Sequence, residues 1–320
     1  KTLSAEDGGY SDIKTSLSKF DTSLEKSEKT INDQLQRNRE EANKVSKENR
    51  EELTLEHLLY PTISSGMPVP NNYFLPIGRY TEALHEFSGA IIIPEHTMIS
   101  DPREILPTDI NGKKTQLFPE LKLEFISSNG HLIPLERDII IPSDSNSYWQ
   151  IQISPGRVWL EPDDDDMSRA SFPFLLTSII ENESYNGVAT FLYNENSLSS
   201  IRYQIVSHLS PFLIKTRFVA MGQTKASYER LAYDHSNVLK DFEDELASKL
   251  PWRDWSELEQ IYGQNLFVNF DSKIDLTRTL TSGLIIDGEI YVRSMDTPFG
   301  PYPYPHEMRH GVWSVTKSAA

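Results

Sequence analysis

The chain has 320 residues with no cysteine, and its 47 acidic against 31 basic side chains give a formal net charge of −16 at pH 7. Such a surface repels nucleic-acid phosphates and anionic membranes, and disulfides and thiolate metal sites are excluded. No apolar run reaches bilayer length, the N-terminus carries no signal-peptide pattern, and the length predicts two domains plus an extension.

Residues 10–60 contain neither glycine nor proline and are rich in Lys, Glu, Gln, Asn and Ser. Tyr10, Ile13, Leu17, Phe20 and Leu24 recur at alternating spacings of three and four, and the series runs on through Ser27 to Ile31. That is coiled-coil phasing. The later seam positions fall on Gln34, Asn38 and Glu41, and only Val45 recovers. The pattern predicts a long helix over 1–60 with a sticky first half and a solvated second half. Its functional reading is a homo-oligomer formed through residues 10–35. Its plainer reading is one amphipathic helix packed on its own protein.

Pro61 ends that helix, and residues 61–86 form a linker carrying several prolines and glycines. Residues 87–220 read as a β-rich domain. Residues 90–93 are a buried run, and Leu121, Leu123 and Phe125 alternate with polar neighbours up to the turn signal Ser128-Asn129-Gly130. Residues 148–153 and 157–161 form a second pair around Pro155-Gly156. Residues 172–180 and 188–193 flank Tyr185-Asn186-Gly187, a third hairpin signal, and residues 201–207 and 212–218 close the series. Many short strands between turn signals predict an antiparallel β-sandwich. Residues 227–250 read as helix, with Leu231, Val238, Leu239, Phe242 and Leu246 on one side, within a helical bridge over 221–270. The fold class expected is therefore α+β.

Two features of the β-rich stretch invite a functional reading. Residues 163–166 are four aspartates and, with Glu161, could hold Ca²⁺, but the spacing is not that of an EF-hand and its glycine is missing, so a solvated acidic loop is expected. Trp149, Trp159 and Tyr148 could stack on a sugar, but alternation puts Trp149 on one face with Ile151 and Ile153, which predicts core. His131, His208 and His235 are isolated, and no chemistry is read into them.

The last stretch carries the chemistry. Residues 280–286 are largely apolar, Asp287-Gly288 reads as a tight hairpin turn, residues 289–293 alternate back, and a Pro-, Gly- and Tyr-rich loop leads to Trp313-Ser314-Val315-Thr316-Lys317-Ser318. In Ser-x-x-Lys on a helix, Lys317 sits one turn along from Ser314 on the same face. A serine hydroxyl needs a base within hydrogen-bond reach, and a lysine kept neutral by burial or by a neighbouring positive charge can be that base. At a helix N-terminus Ser314 would also offer its backbone N–H to a developing oxyanion. A rival motif, His306-Glu307-Met308-Arg309-His310, matches the His-Glu-x-x-His zinc signature. Pro301, Pro303 and Pro305 stand before it and Gly311 after it, so at most one helical turn fits, and a solvent-facing loop is expected instead.

The hairpin, the loop and the Ser-x-x-Lys run together resemble the approach to the nucleophile in the penicillin-recognising serine hydrolases, most closely the class C β-lactamase branch with its esterase, D-aminopeptidase and 6-aminohexanoate-dimer hydrolase relatives. The resemblance covers residues 276–320. It implies that residues 271–320 open a β-lactamase-like domain, that Ser314 is the nucleophile and Lys317 the base, and that the substrate is a small-molecule or peptide-like amide, ester or β-lactam. It implies no cofactor and no metal. The family's Tyr-x-Asn and Lys/His-x-Gly motifs lie downstream of the serine in its chain order, and neither occurs upstream of Ser314 here. The expectation is thus a fragment of a longer hydrolase, inactive alone, and, as in large parts of that family, periplasmic or secreted. The contrasting reading is a non-catalytic coiled-coil and β-sandwich scaffold in which the terminal motif is accidental.

Overall fold

The computed structural model describes residues 53–61, 68–76, 81–94, 97–100, 106–141, 146–180, 184–209, 220–232, 234–273 and 280–309. A five-residue helix, α1 (Leu55–Leu59), comes first. Then follow β1 (Ser88–Ile93), a small hairpin of β2 (Asp109–Ile110) and β3 (Lys113–Lys114), β4 (Leu121–Ser128), β5 (His131–Pro134), β6 (Trp149–Ile153) and β7 (Gly156–Trp159). The longest strands are β8 (Ser168–Ser178), β9 (Ser184–Tyr193) and β10 (Ile201–Leu209), followed by β11 (Met221–Thr224) and β12 (Ser227–Arg230). Ten of these strands make one sheet in the order β11-β10-β9-β8-β7-β5-β4-β1-β12, with β6 also on β8.

The sheet curls so that its two halves face each other across one core. Phe125 of β4 lies 5.2 Å from Phe172 of β8, and Phe87 lies 5.7 Å from Phe191 of β9, ring centroid to centroid. Trp149, fully buried, meets Tyr185 edge-on at 5.4 Å and donates its indole N–H to the Thr115 carbonyl at 2.7 Å. Each such ring pair adds about 0.5–1.5 kcal/mol beyond the apolar area it buries.

Several expectations hold. Leu121, Leu123 and Phe125 all point into the core, and Asn129 and Gly130, at φ 47° and 75°, make the primed turn between β4 and β5. Trp149, Ile151 and Ile153 share the core face.

Other expectations are corrected. The described chain is mostly β rather than α+β, and among the described residues the longest α-helix, α2 (Ser236–Ser248), has 13 residues. Residues 10–52, with the seam at 10–35, lie outside the described residues. The predicted helix cannot run unbroken to Tyr60, because Thr54 is extended at φ −81°, ψ 171° and starts α1 afresh. Its hydroxyl accepts from the His57 backbone N–H while the His57 imidazole accepts from its own. The sandwich is replaced by the curled sheet, since β6 and β7 both run antiparallel to β8 and the chain passes straight on through Pro155-Gly156 instead of turning back. Asn186-Gly187 is no turn either. It lies inside β9, where a Cβ on Gly187 would come within 2.3 Å of the Phe174 ring. Residues 227–230 pair with β1 as a strand because Tyr228 packs its ring on Phe87 at 5.1 Å, so helix begins only at Ser236.

The acidic loop is not simply solvated. Asp163, Asp165 and Asp166 are exposed, but Glu161 and Asp164 are buried around the Arg169 guanidinium, which is 1% exposed. Arg169 donates to both Asp164 oxygens at 2.8 and 2.6 Å and to the Leu53 carbonyl at 3.0 Å, with Glu161 at 3.4 Å. Glu161 also accepts the Trp159 indole N–H at 2.7 Å. Burial opposes the guanidinium charge, but the two carboxylates outweigh it and hold the Arg169 pKa above its ordinary value. Asp164→Ala removes the two-point partner of that buried cation and leaves it Glu161 alone, and should cost about 3–5 kcal/mol in urea unfolding, whereas exposed Asp163→Ala should cost about 0.5 kcal/mol or less. Equal small losses would show that the cluster does not hold.

Candidate functional site

Residues 283–309, the approach to Ser-x-x-Lys, are built in three steps. The first is a three-stranded sheet of β13 (Trp252–Asp254), β14 (Gly283–Ile286) and β15 (Glu289–Val292), ordered β13-β15-β14. Asp287 and Gly288, at φ 51° and 83°, close the β14–β15 hairpin as the sequence predicts. Helix α3 (Trp255–Tyr262) covers one face with Trp255 and Leu258 against Tyr291, and a capping box of Asp254 and Glu257 fixes its start. Arg293 leaves β15, stacks 4.4 Å above the Trp255 ring and pairs with Asp271 at 2.9 Å.

The second step is the small hairpin of β16 (Asp296–Thr297) and β17 (Gly300–Pro301). It is seated by Asn71, a residue from the other end of the chain. The Asn71 side-chain amide donates to Thr297 Oγ1 at 2.8 Å and to the Gly300 carbonyl at 3.0 Å, and its backbone N–H donates to the Phe299 carbonyl at 2.8 Å. Tyr302, Tyr304 and Met308 then enter a second core with Leu58, Phe74, Val188, Leu192 and Val206, on the outer face of β9 and β10. The Tyr304 hydroxyl donates to the Phe74 carbonyl at 3.2 Å. Burial raises the pKa of both tyrosines, so they stay neutral.

The third step is a single 3₁₀ turn, Pro305–Glu307. Glu307 pairs with Lys249 at 2.5 Å, Lys249 with Glu245 at 3.1 Å, and Glu245 with Arg137. His306 lies on the Trp252 ring at 4.5 Å, and partial desolvation against its neighbours, with Lys249 nearby, lowers its pKa. Asn186 of β9 then grips Arg309 twice, accepting from its N–H at 3.0 Å and donating to its carbonyl at 2.9 Å.

Ser314 and Lys317 lie in 310–320, outside the described residues, as does His310. Of the zinc signature, Glu307 is spent on Lys249 and the turn is 3₁₀ rather than α. The stretch is only partly solvent-facing, with His306 and Arg309 exposed and Met308 buried. Among the described residues no three His, Asp or Glu side chains gather as a metal site, and no helix is long and apolar enough to cross a membrane. Sequence reasoning missed Asn71, Asn186, Lys249 and Glu307 as anchors. No local signal could have found them, because the hydrogen-bond partners of Asn186 and Asn71 lie 123 and 226 residues away. No protein-family model, curated protein or solved structure matches the chain.

Beside this site, His131 accepts from Arg157 at 3.0 Å and meets Phe242 of α2 edge-on at 5.1 Å. Burial first, then Arg157 and Lys249, lower its pKa from 6.5 to about 4. The unfolded chain therefore binds this proton more readily than the folded one. The His131 contribution is complete above pH 6.5 and is lost as pH falls towards 4. His131→Gln, which cannot titrate, should flatten that part of the urea-midpoint profile. An unchanged slope would rule His131 out as its source.

Proposed function

We propose that the chain is part of a Ser-x-x-Lys serine hydrolase that works through an acyl-enzyme on an amide, ester or β-lactam. Ser314 Oγ attacks the carbonyl carbon, and its proton passes to the neutral amine of Lys317. The carbon–nitrogen or carbon–oxygen bond then breaks, and the leaving group takes up a proton. Water cleaves the resulting ester and frees Ser314. A tyrosine of the family's downstream motif would assist the proton transfers.

The observation that carries the reading is the order of parts. A two-residue primed hairpin, a Pro- and Tyr-rich loop and the Ser-x-x-Lys run follow one another, and the loop is anchored at Thr297, Gly300, Tyr304, Glu307 and Arg309. Catalysis by a serine–lysine pair depends on placement of its reacting groups to within about an ångström. A pinned approach supports that demand, and a scaffold with an accidental terminal motif gives no reason for it.

In the full-length gene product containing this chain, a fluorescent penicillin or activated ester should label Ser314. Ser314→Ala should abolish labelling, and Lys317→Ala should slow it by about 100-fold or more. Absence of label with both probes, or label surviving in Ser314→Ala, favours the scaffold reading.

A further inference from the structure

The β-rich domain is closed on itself by one stretch of chain. β11 pairs antiparallel with β10 at one end of the sheet, and β12 pairs antiparallel with β1 at the other. Only Lys225 and Ala226 separate the two strands, so residues 221–230 join both ends. Within the curl, β1, β4, β8, β9 and β10 each carry a strand partner on both edges.

Inside that wall the packing is incomplete. A cavity of about 30 Å³ lies between the two halves of the sheet, with Ile93 and Leu123 on one side and Phe172, Ala189 and Ile201 on the other. Interiors are close-packed, so a void forfeits the dispersion contacts of every side chain around it. Closing this one would draw strands inward against their ladder hydrogen bonds, and the void persists. It exceeds the roughly 10–15 Å³ that a water needs, but a buried water also needs about two to four polar partners. The wall presents none. The Tyr203 hydroxyl is engaged by the Ser100 N–H at 2.9 Å, and Thr224 Oγ1 donates to the Lys225 carbonyl at 3.3 Å.

The geometry points to a binding site for a small, uncharged, nonpolar molecule inside the curled sheet. A guest of about one to three heavy atoms fits the space, whereas a benzene ring needs a cavity of roughly 150 Å³. A polar or charged guest would lose its hydration and find no partner in return. A nonpolar one leaves water and restores the missing contacts. The site belongs to the β-rich domain and does not rest on the acyl-enzyme reading.

Xenon, nonpolar and spherical, is the probe. In methyl NMR spectra of the 320-residue chain, the methyl groups of Ile93, Leu123, Ala189 and Ile201 should shift and saturate with xenon pressure. Those of Leu58, Val188, Leu192 and Val206 in the second core should stay in place. Ala189→Val fills part of the space and should weaken xenon binding about 10-fold or more. Leu123→Ala widens it and should admit benzene, read as a benzene-dependent rise in thermal midpoint that the parent lacks. The site is overturned by xenon shifts that are absent or spread equally over both cores, by equal xenon affinity in Ala189→Val and the parent, or by no benzene-dependent rise in Leu123→Ala.

Discussion

Gln204 sits with no exposed surface on β10, and its carboxamide adds a fixed register to parts of the chain that the second core also packs together. Its oxygen accepts from the Val69 N–H at 3.2 Å, and its nitrogen donates to the Val69 carbonyl and to Asn71 Oδ1, each at 3.0 Å. Asn71 passes the connection on to Thr297 and Gly300. Sheet, N-terminal linker and the hairpin before the serine motif thus share one buried set of amides. Each bond is worth about 0.5–1.5 kcal/mol net, but a stranded partner costs about 1–3 kcal/mol. The network therefore selects one arrangement more strongly than it stabilises it.

This arrangement explains why β9 is buried along its whole length. Its inner side chains, Tyr185, Ala189, Phe191 and Tyr193, belong to the core enclosed by the curl. Its outer ones, Val188 and Leu192, belong to the layer laid down by residues 53–59, 69–75 and 295–308. Arg169 with Asp164 and Glu161 closes one edge of that layer and ties in Leu53, and Asn186 closes another. Polar residues on the outer face are matched to backbone groups of the covering segments, so the cover is specific in a way that an oily face alone would not be.

What could be read from the sequence follows from how local each signal is. Leu121, Leu123 and Phe125 declare their strand because alternation needs only five residues, and Asn129-Gly130 and Asp287-Gly288 declare their turns because positive φ is a property of two. Asn186-Gly187 carries the same letters and deceives, since its chemistry is spent on Arg309 and on room for the Phe174 ring. Asp164 reads as one of four solvated acids until Arg169 is folded over it. The pattern at 227–230 looks like the start of a helix until β1 offers it an edge. Ser314 and Lys317 are legible as a spacing, whereas the anchors before them are not, because Asn71, Asn186 and Lys249 acquire their roles only through contacts across the chain.

The account stands on residues 295–309 being part of the folded sheet domain. Hydrogen–deuterium exchange of the backbone amides measures this directly. The Met308-side turn, the Arg309 N–H and the Tyr302 N–H, which donates to the Met295 carbonyl at 2.8 Å, should exchange with the slow class of β8 and β9, and Gln204→Ala should release all of them together. Exchange of residues 295–309 at the rate of an open peptide, with β9 still protected, would contradict it.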